Sequence, residues 1–365
     1  MDIKISGKST SNWLKNIRYK RSLSSLGAEL IFKMQNDDLN PPPLPNVGDT
    51  IILSDDDGIV RFSGKVTEPT ESNELVTAVA YDECYYLNKS KVTIQFTDSI
   101  TTSEAIQALC KKIGITILKL PLLQNPVDAV YYATAPSNII YDLLDKQSAA
   151  YGGKYYLTSE SAGTISIYSY GSLSAGVSLS AIYSASRTQS LDSIKNRVTL
   201  LVKDGDNYTI SETASNFDSI SKYGLLQEYI ETSLNADIAV AYVQNKLNEL
   251  SALLDEGEIT ILGDWRLTQI GRRITVYEPI THLSGDYVIE SVIHEISDGF
   301  HETTLSLKQY YEYTPFKTII SSFLAPELKA VEESRKSFIP DRQTISYADG
   351  KDAMLKIIGH FNLED

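Results

Sequence analysis

The chain has 365 residues, 42% hydrophobic and 22% charged, an ordinary balance for globular protein that suggests two or three domains. A net charge of −14 argues against a protein that grips nucleic acid specifically, because phosphate binding needs clustered Lys and Arg. No apolar run approaches the ~20 residues that span a bilayer, so no membrane insertion of its own is expected. Met1-Asp2-Ile3-Lys4-Ile5 lacks the apolar core of a signal peptide, which points to a soluble protein made in the cytoplasm.

Residues 1–97 are expected to form an N-terminal β-barrel domain. Ala28-Glu29-Leu30-Ile31-Phe32-Lys33 has the character of a short strand. Asn40-Pro41-Pro42-Pro43-Leu44-Pro45-Asn46 can be neither helix nor central strand. Gly48–Leu53 and Ile59–Val66 flank the acidic turn Ser54-Asp55-Asp56-Asp57-Gly58, the pattern of a hairpin. Leu75–Tyr81 adds a further strand. Short strands with regularly spaced turns suggest a small barrel or sandwich.

Residues 98–170 have an α+β pattern. Thr102-Ser103-Glu104 opens a helix with Thr or Ser as N-cap. Ala105, Ile106, Leu109, Cys110 and Ile113 keep helical spacing, and Gly114 suits the C-cap. A second helix starts near Pro136-Ser137, carries Ile139, Ile140, Leu143 and Leu144, and stops at Gly152-Gly153. Strands Lys154–Leu157 and Thr164–Tyr168 follow. Residues 171–190, rich in Ser, Ala and Gly, suit a linker.

Residues 191–310 are expected to form a second β-barrel domain with an inserted helix. Arg197–Val202, Gly224–Ile230, Glu258–Leu262, Gly271–Tyr277, Gly285–His294 and Thr303–Lys308 have strand character. Ile238, Val240, Ala241, Val243, Leu247, Leu250 and Leu254 fit one helix near 235–254. A weak internal repeat links the two β regions. Gly48-x-x-Ile51-x-Leu53 with Phe62-Ser63-Gly64-x-Val66 parallels Gly271-x-x-Ile274-x-Val276 with Leu283-Ser284-Gly285-x-x-Val288. The last segment, 311–365, is broken by Pro315, Pro326 and Pro340. It carries a charged helix candidate, Pro326–Lys336, and the amphipathic Met354–Ile358, and is expected to dock on a partner. The fold class is thus α+β, mainly β: two small barrels, an intervening α+β domain and an extended C-terminal segment.

Chemistry is hard to place in this pattern, and no catalytic, cofactor-binding or metal residue is assigned. Cys84 and Cys110 form no CxxC and are expected to be buried free thiols. His282, His294, His301 and His360 make no HxxxH or HExxH. A glycosidase-like carboxylate pair could be drawn from Asp82-Glu83, Asp255-Glu256 and Asp264, but solvated turn carboxylates are the simpler reading. There is no phosphate-binding loop and no nucleophile elbow. The 23 Tyr against 9 Phe suit a large contact surface or half-buried strands.

Four stretches in this order resemble the baseplate hub proteins of contractile phage tails and phage-tail-like bacteriocins, typified by hubs of defective prophages of Gram-positive bacteria. They are Ala80-Tyr81-Asp82-Glu83-Cys84-Tyr85-Tyr86-Leu87, Thr102 through Ile115, Ser190-Leu191-Asp192-Ser193-Ile194-Lys195-Asn196-Arg197-Val198, and Gly263-Asp264 through Gly285-Asp286-Tyr287-Val288-Ile289 to Gly299-Phe300-His301. The resemblance implies a structural protein, not an enzyme. It implies a homotrimer whose paired barrels look nearly six-fold and join a hexameric tail tube to a central spike. Wedge proteins are further expected partners, and the baseplate is the final location. A tail-associated peptidoglycan hydrolase and a carbohydrate-binding adhesin are the competing readings. Asn196-Arg197-Val198 and Gly285-Asp286-Tyr287 are expected to serve the second barrel's fold.

Overall fold

Period-two burial marks the first strands, all but the short exposed β2: β1 (Asp2–Ile5), β2 (Lys8–Ser9), β3 (Leu14–Ser22), β4 (Glu29–Gln35), β5 (Thr50–Ser54), β6 (Val60–Glu71) and β7 (Leu75–Tyr81). The computed structural model describes residues 1–159, 164–179, 181–204, 207–231, 236–251 and 254–310. Alternate residues of these strands turn inward, among them Leu30, Phe32 and Met34 on β4 and Val76, Ala78 and Ala80 on β7. With Ile3, Ile17, Tyr19, Ile51, Leu53, Phe62 and Val66 they form one core. Burying each large side chain of this kind contributes about 1.5–3 kcal/mol.

An α+β unit follows: α1 (Glu83–Tyr86), β8 (Val92–Thr101), α2 (Thr102–Ile113), β9 (Thr116–Lys119), β10 (Pro126–Thr134), α3 (Pro136–Tyr151), β11 (Tyr155–Ser159) and β12 (Thr164–Ser169). Thr101 caps α2, one residue earlier than the sequence suggested, in a reciprocal box with Glu104. Gly114 ends the helix with φ 74°, a left-handed cap. The expected apolar stripes of α2 and α3 meet in a core that also takes in Cys84, Leu123, Ile165 and Ile167.

The chain then adds β13 (Ser174–Leu179), β14 (Ser184–Ser190), β15 (Arg197–Asp204), β16 (Asn207–Ser215), α4 (Phe217–Tyr223), β17 (Gln227–Glu231), α5 (Ala236–Ser251), β18 (Leu254–Leu262), β19 (Arg273–Glu278), β20 (Leu283–Ser297) and β21 (Phe300–Gln309). Two readings change here. The stretch expected to be a linker supplies β13 and β14, which join the large sheet at β19 and β18. Arg197–Val202 and the strand around 227–231 do not belong to that sheet. They form a separate sheet, β16-β15-β17, whose Val198 and Leu200 pack against Ala239, Val243 and Leu247 of α5. Asn196 therefore serves this insertion: buried, it donates to Gly224 O at 2.6 Å and accepts from Leu226 N at 2.8 Å. Asp286 and Tyr287 do sit in the second strand set. Asp286 accepts from Thr275 at 2.7 Å, and Tyr287 lies in the core.

The internal repeat reappears as topology. The first set runs β3-β4-β7-β6-β5-β1, and the second runs β14-β18-β21-β20-β19-β13. Ranked by chain position, both orders are 2-3-6-5-4-1. One difference remains, since β1 is antiparallel to β5 whereas β13 is parallel to β19. The mainly-β α+β class holds, but the two barrels need correction. Among the described residues neither set closes. The edge of β3 left open by β4 is taken by β20, which joins both sets into one 13-stranded sheet. The segment 311–365, with its helix candidate, lies outside the described residues.

Two glycines of the repeat are required for different reasons. A Cβ on Gly64 would sit 2.2 Å from the Tyr81 carbonyl oxygen, whereas Gly285 has open space but φ +136°. Gly64→Ala is therefore expected to force β6 and β7 apart and lower stability by about 1–3 kcal/mol, read as a shift in the urea midpoint. An unchanged midpoint would show that the backbone absorbs the methyl group.

Candidate functional site

The groups that fix the joined strand sets and the surfaces they present define the candidate site. The join comes first. Strand β20 pairs with β19 through Val288 and with β3 from Ser291 onward. Between them, at Glu290, its ladder with β21 slips by one residue, a β-bulge. The Glu290 carbonyl accepts from Leu23 N at 2.9 Å, and its carboxylate accepts from the Tyr170 hydroxyl. One bulged residue thus ties the second set, the first set and the end of the α+β unit.

Below the bulge lies an aromatic cluster. Trp265 stacks on His294 with ring centroids 4.3 Å apart, and Tyr19 lies 5.8 Å from the same imidazole. His294 is fully buried. Its Nε2 faces the Leu267 carbonyl at 3.3 Å, which requires a proton on Nε2 and leaves Nδ1 as the acceptor. That acceptor meets His301 Nε2 and Thr303 Oγ1, both at 3.0 Å. Burial, reinforced by neighbouring His301, pushes the His294 pKa down to about 3. The imidazole is neutral at every physiological pH.

A second polar knot joins three parts of the chain. Buried Asp82 accepts from Ala28 N at 2.8 Å, from Cys84 N at 3.1 Å and from the Ser159 hydroxyl. Arg21 on β3 donates to Ser159 at 3.0 Å and lies 3.9 Å from Asp82. These are the groups of a structural cross-brace, closed to substrate.

The other sequence candidates fare likewise. Asp255 is buried and gripped by Arg187 at 2.8 Å and Gln189 at 3.2 Å. Asp264 takes Arg266 Nε and Nη2 at 2.9 and 2.6 Å. Glu256 is exposed on the β18 face. Each candidate Asp is held by its own local partners, in a different part of the fold. Both thiols are buried, and burial raises each above its ordinary pKa, Cys110 to about 12. Gly152 and Gly153 end α3, both with positive φ. Among the described residues no group of His, Cys, Asp and Glu is arranged to hold a metal.

The repeat ends in a matched pair of hairpin tips, of which the sequence showed only the first as a turn. In the β5–β6 turn, buried Asp55 accepts from Asp57 N at 3.0 Å, Ile59 N at 2.8 Å and Arg61 Nε at 2.7 Å. In the β19–β20 turn, buried Glu278 accepts from Ile280 N at 3.1 Å and Thr281 N at 2.6 Å. Each carboxylate fixes a tip that displays an aliphatic residue, Ile59 at 51% and Ile280 at 86% exposure. Val60 and Tyr277 are exposed beside them. The two tips lie at different places along β20: charge coupling sets Asp56 of the β5–β6 turn near His301, which faces Ile296 toward the end of β20, whereas the β19–β20 turn precedes Leu283 at the start of that strand. The run Asp55–Gly58 signalled the first tip, while nothing in the local sequence announces Glu278 as a staple.

Comparison with known proteins bears on this arrangement. The YQBQ-like family model matches residues 17–308. The chain belongs to the YQBQ-like family. It is 24% identical over 273 residues to the uncharacterized protein YqbQ of Bacillus subtilis (strain 168), covering 71% of this chain and 81% of that protein. The fold is shared with the 43 kDa tail protein of prophage MuSo2 from Shewanella oneidensis, with TM-score 0.65, 17% identity and coverage of 84% of this chain and 97% of that one. It is shared as well with the tail protein from Neisseria meningitidis MC58, with TM-score 0.64, 15% identity and coverage of 84% and 95%.

The His294 site yields a pH dependence. Its folded pKa of about 3 lies below the unfolded value near 6.5, so its contribution is complete above pH 6.5. That contribution is lost as pH falls from 6.5 toward 3, where the unfolded chain binds the proton first. His294→Phe is expected to unfold at lower urea than the parent at pH 7.5, with the gap narrowing by pH 4.5, followed by tryptophan fluorescence. A gap independent of pH would contradict the neutral buried imidazole.

Proposed function

We propose that this YQBQ-like chain is a structural baseplate hub of a contractile tail or R-type bacteriocin. On this reading three copies form a ring between a hexameric tail tube and the central spike. The observation that carries the reading is the duplicated strand order with its matched tips. One chain with two equivalent docking elements, taken three times, presents six similar contacts to a six-fold partner. A ring of heterologous contacts that closes on itself is a standard solution for such a trimer. Likeness in fold to two tail proteins supports a tail role, and the family match supports the same assignment.

The role proposed is non-enzymatic. It is supported by the structural partners that hold Asp82, Asp255 and Asp264. Assembly would take place in the bacterial cytoplasm before the chain enters the particle. The domain division proposed keeps the first strand set, the α+β unit, the second set with its insertion and the C-terminal segment 311–365 as separate functional parts. The last is assigned to docking on a partner: the spike, the neighbouring subunit or a wedge protein.

The tips supply the test. Both isoleucines are exposed, so Ile59→Asp and Ile280→Asp should leave stability within about 0.5 kcal/mol of the parent. In a binding assay with purified tail-tube protein, each single variant is expected to bind at least tenfold more weakly. The double variant should not bind, and Leu118→Asp, exposed elsewhere, should bind normally. Full tube binding by the double variant would overturn the assignment of the tips.

A further inference from the structure

The two strand sets match residue by residue, down to their hydrogen bonds. In the first set the β6–β7 ladder slips by one residue after Val66↔Ala80, leaving Thr67 as a bulge. In the second set the β20–β21 ladder slips after Ile289↔Leu307, leaving Glu290. Gly48 N donates to the Val66 carbonyl and Gly271 N to the Ile289 carbonyl, both at 2.8 Å. Val66 N and Ile289 N donate to the Asp49 and Arg272 carbonyls, at 2.9 and 3.0 Å. The rows Val66-Ala80-Leu30-Tyr19 and Ile289-Leu307-Gly257-Arg187 therefore correspond, which makes β14 the counterpart of β3.

The chain uses one edge from each set on the other. β3 pairs with β20 beyond the Glu290 bulge, where β19 has ended. The counterparts of these two edges are β14 and the part of β6 beyond Thr67, where β5 has ended. Each keeps one side that pairs with no strand among the described residues.

A leucine marks the difference between the used and unused edges. Leu23 N donates to the Glu290 carbonyl at 2.9 Å, and the Leu23 side chain packs against the core of the second set. Ser22-Leu23-Ser24-Ser25 after β3 is matched by Ser190-Leu191-Asp192-Ser193 after β14. In both, the first serine hydroxyl accepts from the amide two residues on, at 3.2 Å from Ser24 N and 3.1 Å from Asp192 N. Leu191, unlike Leu23, is 44% exposed.

We infer that β14 of one copy pairs antiparallel with β6 of a second copy, beyond its Thr67 bulge, and that Leu191 packs there beside Val66. The inference rests on the hub reading, which supplies the second copy, and goes beyond it by assigning the contact. A second copy is favoured over a foreign protein because the edge that suits a β3-like strand is already built into this chain. Transferring the β3–β20 register gives Glu68↔Ser190, Pro69↔Gln189, Thr70↔Thr188 and Glu71↔Arg187. The last pair sets a carboxylate against a guanidinium. Pro69 has no N–H to donate, which suits an edge that must not pair indiscriminately. The contact runs head to tail, so in a ring of three copies every join, within or between chains, has the same form.

Thr70 and Thr188 are both exposed. Residues directly opposite in an antiparallel pair have Cα atoms about 4.5–5.5 Å apart, within disulfide range. Full-length Thr70→Cys and Thr188→Cys chains are purified separately, mixed with the spike protein present, oxidised and run on non-reducing gels. The mixture is expected to give a disulfide-linked dimer, and neither chain alone should give one. A chain with both substitutions is expected to give covalent trimer. Leu191→Asp, with the parent's tryptophan fluorescence, should weaken self-association at least tenfold in native mass spectrometry, whereas Leu118→Asp should not. A trimeric parent with no cross-link between positions 70 and 188, or a Leu191→Asp chain that assembles like the parent, would overturn this contact and leave the hub reading standing. A parent that stays monomeric beside the spike and gives no cross-link would overturn both.

Discussion

Everything in this fold is organised by one strand serving two sheets. β20 has 15 residues, about 50 Å of extended chain, long enough to pair with β19 over its first part and β3 over its second. The Glu290 bulge marks the exchange of partners and adds local twist where the two sets diverge. Without that exchange the edge of β3 would be unpaired, and the two strand sets would be held by side-chain contacts such as Tyr19 with Trp265 and by the chain between them. Backbone pairing makes the join directional.

The polar groups inside the molecule support this join. Asp82, Ser159 and Arg21 connect β7, β11 and β3 in a region where an unpaired charge would be costly. Asp255 and Arg187 do the same for β18 and β14, and Asp55 and Glu278 rigidify turns. A carboxylate that accepts several N–H or O–H donors is well suited to hold backbone and poorly suited to exchange protons with a substrate. The same chemistry that makes the acidic residues abundant in the sequence makes them structural in the fold.

Much of this was legible beforehand, and the failures have physical causes. Strong alternation marked β4, β5, β6 and β7, and helical spacing with Gly114 marked α2, because burial of one face writes itself into local pattern. The repeat was visible because Ile51, Leu53, Phe62, Ile274, Val276 and Leu283 all point to a core. β13 and β14 were missed because edge strands carry small and polar residues, here Ser-Ala-Gly-Val-Ser-Leu and Ser-Ala-Ser-Arg-Thr-Gln-Ser, which resemble a linker. Barrel closure was wrongly expected because no local pattern says which strand takes an edge. The separate sheet of the insertion escaped for the same reason, since pairing between β15 and β17 spans helix α4. Of the site, the β5–β6 turn could be seen in Asp55–Gly58, whereas the role of Glu278 depends on tertiary placement alone.

In the proposed function, a duplicated strand set lets one chain act as the three-fold partner of a six-fold ring. Native mass spectrometry of the purified full chain across a concentration series, alone and with its spike protein, tests this most directly. The account predicts a homotrimer, or a complex of three copies of the chain with three of the spike. A chain that stays monomeric at high concentration, with and without the spike, would contradict it.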